Sequence, residues 1–422
     1  MAPVHSDQKG IPAQMTATTE DRLRHMNDDA RARRNARLLA IGQALGGSGS
    51  VIIISSGGII GHMLAEEKAL ATLPVTCYIL GTALSTLPVN LMMRRLGRRA
   101  GYMFGAATGI VAALVAAYAI HVGSFWLFAL GTLLVGPYWA QVQSYRFAAA
   151  DLASDRFVAK AISWVLVGGI ASAVIGPQVV IWTKDLFPPF LFLGTFSASA
   201  VLAFMALILM SRIDIPRPAP PAPGDGARPL SAIMAQPRFV VSAGCGAVSF
   251  ASMSLVMTAT PLAMVGCGLS ADMAALGIQW HVLAMFAPSF ITGRLIGRFG
   301  KEKIVAAGLV SLSVSAVIAI SGLSVWHFWA ALVFLGLGWN FGFIGATAML
   351  TDCYLPVERN KVQGMNDFLV FGLNAVASFS SGVLLNLAGW TAVNLIVFPP
   401  VILCIAALLW LAGTRNRALL PE

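Results

Sequence analysis

The sequence predicts an all-α membrane protein, with twelve transmembrane helices in two pseudo-symmetric six-helix bundles. Three observations carry this. Of the 422 residues, 57% are hydrophobic and only 11% charged, whereas soluble domains are about 25% charged. Such a chain has too few polar residues to coat an aqueous surface. Twelve apolar runs, each close to the roughly 20 residues a helix needs to cross a bilayer, alternate with short polar segments. The second six runs echo the first at an offset of about 200 residues.

In chain order, residues 1–37 form a polar, charged arm, expected to be disordered or to lie on the membrane surface. Its Arg31, Arg33, Arg34 and Arg37 would hold the first span in orientation and contact anionic lipid. Spans are predicted near 38–64, 69–93, 100–122, 125–149, 159–182 and 188–211, making up an N-terminal bundle over 38–211. A linker at 212–238 follows, where Pro216, Pro218, Pro220, Pro221 and Pro223 favour a flexible or polyproline II chain over a helix. The C-terminal bundle, 239–412, contains spans near 239–265, 273–296, 303–322, 326–350, 362–387 and 391–412, and 413–422 is a tail. The first apolar run begins too far into the chain for a cleaved signal peptide.

Lysine and arginine placement orients the spans. With the N-terminus inside, 26 of the 28 basic residues fall on the cytoplasmic side, and only Lys68 and Lys184 fall outside. Both termini are therefore expected to be cytoplasmic, in a multi-pass membrane protein. The net charge of +10 is explained by this bias. It forms no basic face on a soluble domain, so nucleic acid is not an expected partner. The five scattered cysteines suggest neither a disulfide nor a metal site. No nucleophile elbow, zinc-protease motif or phosphate loop is present, so no enzyme activity and no cofactor are expected. A non-transporting receptor would need a larger signalling domain than the arm and linker supply.

The repeat is clearest in the basic loops, Arg94-Arg95-Leu96-Gly97-Arg98-Arg99 after the second span and Gly297-Arg298-Phe299-Gly300-Lys301 after the eighth. Asp151 and Asp352, each followed by an arginine (Arg156, Arg359), mark the ends of the fourth and tenth spans. The stretch Gly293-Arg294-Leu295-Ile296-Gly297-Arg298-Phe299-Gly300-Lys301 resembles the Gly-x-Leu-x-Asp-Arg-x-Gly-Arg-Arg signature of the major facilitator superfamily. With six plus six spans, a central linker and inside termini, the resemblance covers nearly the whole chain. It implies the major facilitator fold, alternating access, and a small-molecule solute bound between the bundles near the midplane. Both copies lack the signature's acid, since Arg94 and Gly297 stand at its position. Within this resemblance, Arg95, Arg98 and Arg298 are gate candidates with Asp151 and Asp352 as partners. The other reading is that they only obey the positive-inside bias. Arg146 is read as interfacial or gating.

The interior is nearly free of charge. Asp367, in the eleventh span, is either a protonation site or a partner of Arg359 or Lys361. His281 is the histidine placed for a substrate or proton role. Uncharged polar and aromatic residues supply more: Gln43, Tyr138, Trp139, Gln141, Gln279, Trp280, Trp339, Asn340 and Asn374 all fall inside spans. Amides are costly in hydrocarbon unless they face protein or water, so each is either interhelical glue or cavity lining. As a group they suit a flat, largely neutral solute held by stacking and a few hydrogen bonds.

The expected function is secondary transport of such a solute, aromatic or heterocyclic, with uptake favoured. The segments Gly338-Trp339-Asn340 and Asn366-Asp367-Phe368 look like those of proteobacterial facilitators, some of which take up vitamins such as riboflavin. The alternative is proton-coupled efflux of drugs or metabolites. Against it, the fourth span has no arginine before Arg146, and Gly176-Pro177 is only a fragment of the exporters' fifth-helix motif. Without a nucleotide site, a proton or solute gradient is left as the driving force, and a monomer is the expected working unit.

Overall fold

The computed structural model describes residues 13–150, 153, 157–215 and 228–417, and the described residues form helices and no strands. In the N-terminal half, α1 is Ala13–Leu64, α2 Leu73–Leu96, α3 Arg98–Val122, α4 Phe125–Ala149, α5 Val158–Thr183 and α6 Leu193–Met210. In the C-terminal half, α7 is Pro237–Gly266, α8 Ala271–Phe286 plus Ser289–Phe299 across a 42° bend, α9 Lys301–Ser321 and α10 Val325–Leu350. The last helical stretch, Lys361–Gly413, has 53 residues, more than twice what one crossing needs. It turns at Gly389, whose φ of 78° is open to glycine at little cost. That divides it into α11 (residues 359–388) and α12 (residues 390–417) and gives twelve spans, within a few residues of those expected. Asp151, Arg156 and the five linker prolines lie outside the described residues.

The repeat is built into the backbone. Gly97 and Gly300 break α2 from α3 and α8 from α9 with nearly the same geometry, φ 91° and ψ 161° against φ 89° and ψ 157°. Each therefore turns the chain at the same point of its half. The end carrying these loops is called the basic end below, and the opposite end the far end.

The described part of the arm is helical and runs on into the first span: α1 is a continuous 52-residue helix, roughly 78 Å long at 1.5 Å per residue. Ala32 and Ala36, one turn apart, are fully buried against the N-terminal core. Arg31 pairs with Asp214, and Asn35 brackets the Asp214 backbone, donating to its carbonyl (2.7 Å) and accepting from its N–H (3.2 Å). Alanines at this spacing let α1 lie flat on its neighbours, and the polar positions between them tie down the chain leaving α6.

At the other end of the linker, Arg228 grips Glu358 through Nε (2.8 Å) and Nη2 (2.7 Å). A short helix, Leu230–Met234, then tucks Ile233 under α7 with Phe239, Leu350 and Val362. Both linker ends are thus fastened, one to each bundle.

Candidate functional site

The two bundles meet most closely over the half of the molecule toward the far end. Val51 and Ile54 of α1 and Ala173 of α5 pack into the C-terminal core, while Ala275 of α8 and Ala375 of α11 pack into the N-terminal one. Polar contacts reinforce this closure. Thr72 Oγ1 donates to the Ser378 carbonyl (3.4 Å), and the Thr76 and Ser378 hydroxyls share a hydrogen bond (3.2 Å). Gln178 Nε2 donates to Gln279 Oε1 (3.1 Å), and Lys184 reaches Asp272 (3.3 Å). Toward the basic end, no hydrogen bond or ion pair within contact distance joins the bundles among the described residues. Arg146 of α4 and Asp367 of α11 lie in each other's field, yet both are exposed. Among the described residues the bundles are thus joined at the far end, with a cleft between them toward the basic end.

Aromatic rings line its C-terminal wall. Phe250 of α7 stands edge-on to Trp339 (5.6 Å between centroids), Phe343 (5.1 Å) and Phe371 (5.7 Å). Trp339 stacks on Phe343 (5.3 Å, 22° between planes) and meets Phe286 at 6.3 Å. Opposite Phe286, on the N-terminal bundle, is Gly169 of α5, where an added Cβ would find only that ring, at 4.0 Å. Gln43 lies next to this point, in the seam between α1 and α5, with its Cβ 3.0 Å from where a Gly168 side chain would begin. On α11, Asp367, Phe371, Asn374 and Ser378 follow one another at helical spacing and form a stripe along one face. Trp339 Nε1 and Asn374 Oδ1 near this wall are buried without a partner, as is the Ser249 hydroxyl beside Phe250.

Several expected site residues lie elsewhere. Tyr138 and Gln141 turn into the N-terminal bundle, against Gly46 of α1 and Gly109 and Gly105 of α3. The Tyr138 hydroxyl and both Gln141 amide atoms are buried there without partners, next to a small cavity lined by Leu45, Gly49, Tyr138 and Ser199. Trp139 is half-buried and packs against both N-terminal core clusters. Asn340 is interhelical glue. Its Nδ2 donates to the Met285 carbonyl (2.6 Å) and Ser289 Oγ (2.7 Å), and its Oδ1 accepts from Thr292 Oγ1 (2.6 Å). His281 is fully buried toward α10, with Nδ1 donating to the Leu332 carbonyl at 2.8 Å. Trp280, 45% exposed, stands on the helix surface.

Asp151 lies outside the described residues, and the other charged candidates are placed as follows. Asp352 is held by Lys301 (2.6 Å) and Arg238 (2.7 Å), and Arg238 also reaches Glu302 (2.9 Å), so this network stays within the C-terminal half. Arg298 lies over its own neighbour Phe299 (5.3 Å), and Arg98 donates to the Tyr102 hydroxyl (3.2 Å). Arg95 is exposed. Asp367 meets neither of its expected partners. Arg359 bonds Gln363 and Lys361 bonds the Arg228 carbonyl, while the cation facing Asp367 is Arg146. The sequence reading passed over Phe250, Phe286, Phe343, Phe371 and Gln178. As phenylalanines in apolar helices, the first four carried no signal apart from their repeated presence in α7, α8, α10 and α11.

Two family models match the chain, Major Facilitator Superfamily over residues 242–421 and Sugar (and other) transporter over residues 24–145. The chain is 54% identical over 386 residues to the riboflavin transporter RfnT of Brucella anthropi, covering 91% of this chain and 97% of that one. It is 30% identical to the uncharacterized MFS-type transporter YdeG of Bacillus subtilis, over 90% and 92% of the two chains. Its fold is similar to that of a point mutant of the nucleoside transporter NupG, with a TM-score of 0.70 at 12% identity, over 90% of this chain and 99% of the other.

Proposed function

The chain belongs to the major facilitator superfamily, and from that premise we propose that it imports riboflavin, or a closely similar flat and largely neutral heterocycle. Import would proceed by alternating access across a bacterial inner membrane, with the basic end in the cytoplasm. The observation that carries this is the wall of rings formed by Phe250, Phe286, Trp339, Phe343 and Phe371, on the side of a cleft closed at one end. Edge-to-face and stacked rings gain about 0.5–1.5 kcal/mol per pair beyond their area burial. A planar solute slipping among them exchanges ring–ring for ring–solute contacts at little cost.

A riboflavin transporter 54% identical over nearly its whole length supports the substrate. The orientation rests on the basic residues, which gather at one end of the helices. Asp367, exposed in the open part of the cleft, is the carboxylate through which any proton coupling would run. Uptake into proteoliposomes tests the reading. Riboflavin should enter and be competed by other flavins, and Phe250→Ala should weaken its apparent affinity. Efflux-only transport, or indifference to flavins across a solute panel, would overturn it.

A further inference from the structure

We propose that Trp339 and Asn374 act as a donor–acceptor pair that reads an amide or imide edge on the transported ring. This rests on the flavin reading above and specifies which part of the solute is recognised. An indole N–H can only donate, and an amide oxygen can only accept. Trp339 is 8% exposed and Asn374 4% exposed, and neither Nε1 nor Oδ1 has a partner. Asn340, on the same helix as Trp339, has both its amide nitrogen and its oxygen hydrogen-bonded. The Ser249, Ser254 and Ser381 hydroxyls and His281 Nε2 are also buried without a partner. Trp339 and Asn374 differ from these in flanking the ring wall with an atom that can only donate and an atom that can only accept.

The two residues belong to one surface. The Phe250 ring touches both Trp339 and Phe371, and Asn374 follows Phe371 by three residues on the same face of α11. A flat ring entering beside Phe250 would bring its edge toward both. The matching edge carries a carbonyl oxygen next to a ring N–H, as in the pyrimidine portion of a flavin. A carboxylate has no hydrogen to give Asn374 Oδ1, and a plain hydrocarbon ring would leave both groups unmade. A site with buried unpaired polar groups rejects a ligand that cannot complete them far more strongly than one that merely fits less well. Binding would then be selected by hydrogen bonds that the empty protein lacks.

The test is a fluorescence-quench titration of the purified full-length protein with riboflavin and with 3-methylriboflavin, whose methyl group replaces the ring N–H. Wild type should bind the methylated flavin about tenfold more weakly, the factor expected for one buried hydrogen bond. Asn374→Leu should weaken riboflavin binding by a similar factor and remove the discrimination. Trp339→Phe should weaken both flavins and keep it. Equal wild-type affinities for the two flavins, or discrimination that survives Asn374→Leu, would overturn the pair while leaving the flavin reading intact. Failure of wild type to bind either flavin would overturn both. The wild-type comparison stands by itself if a variant does not fold.

Discussion

Lys184, just past the end of α5, lies 3.3 Å from Asp272 in the first turn of α8, the one ion pair that joins the two bundles among the described residues. Lys184 also bonds its neighbour Asp185, which together with Asp272 raises its pKa from 10.5 against the opposing effect of burial. Stability gained from a raised lysine pKa is fully present below 10.5 and is lost only as the pH rises through the higher folded value. The closure is therefore expected to be insensitive to pH across the neutral range. Lys184→Gln should loosen it by about 0.2–1 kcal/mol, the usual worth of an exposed pair. Labelling of a cysteine placed at Ser378 should rise up to a few-fold from the far side. Unchanged labelling would mean that the Thr72, Thr76 and Gln178 contacts hold that end without it.

Glu358 is a second test of pH. Its carboxylate is held down to about 2 by Arg228, with help from the Leu355 and Arg228 backbone N–H groups and against desolvation. A depressed acid contributes stability above its unfolded pKa of 4.5 and loses it as the pH falls toward 2. The linker should stay fastened to the C-terminal bundle at neutral pH. Glu358→Gln should make the chain near Arg228 more susceptible to limited proteolysis at pH 7, with the helical core still resistant. Equal cleavage of variant and wild type would show that the short helix Leu230–Met234 is anchor enough.

Asn340 separates glue from binding site. Asn340→Leu removes three hydrogen bonds between α10 and α8, each worth about 0.6–1.7 kcal/mol in a membrane bundle. Thermal unfolding in detergent should show a loss of about 2–5 kcal/mol, with flavin affinity in the surviving folded protein unchanged. A lost affinity at unchanged stability would return Asn340 to the substrate site.

Gly169 gives a steric test of the cleft. A Cβ there would meet, beyond its own helix, only the Phe286 ring of the facing bundle, at 4.0 Å. Gly169→Leu should therefore fold, with the gain in helix propensity that follows glycine replacement, but fill the space facing the aromatic wall. Uptake should fall at least tenfold with little change in unfolding temperature. Uptake near the wild-type rate would place the solute path elsewhere.

The helices were legible because a bilayer forces apolar residues into runs of a fixed length, and the repeat because Gly97 and Gly300 recur at matching turns. The rotation of each helix was not. Tyr138 and Gln141 satisfy the rule that polar groups in membranes face protein, but the protein they face is their own bundle. Asp352 was expected to meet an arginine of the preceding basic loop. It does meet that loop, through Lys301, but its arginine is Arg238 at the start of α7. Sequence spacing locates charges along the membrane normal. It does not say which neighbour a side chain meets around the helix axis.

That limit bears on Asp367 and Arg146. Read along the chain, Asp367 belongs with Arg359 and Lys361, whereas in the fold it faces Arg146 across the open side of the cleft. Under the proposed alternating access the basic end would close when the far end opens, bringing α4 toward α11. The pair would then tighten as Lys184 and Asp272 separate, so that each state has an ion pair the other lacks. Asp367→Arg would place two cations face to face, hinder closure, and cut uptake by about tenfold or more, with the larger effect at low salt. Arg146→Asp should be similarly impaired, and the double exchange Arg146→Asp/Asp367→Arg should recover much of the activity. Proteoliposome uptake by the three variants at two ionic strengths reads this out. A double variant no better than either single one would mean that the two residues act separately, with Asp367 then left to the proton-coupling role that Asp367→Asn tests through the pH dependence of uptake.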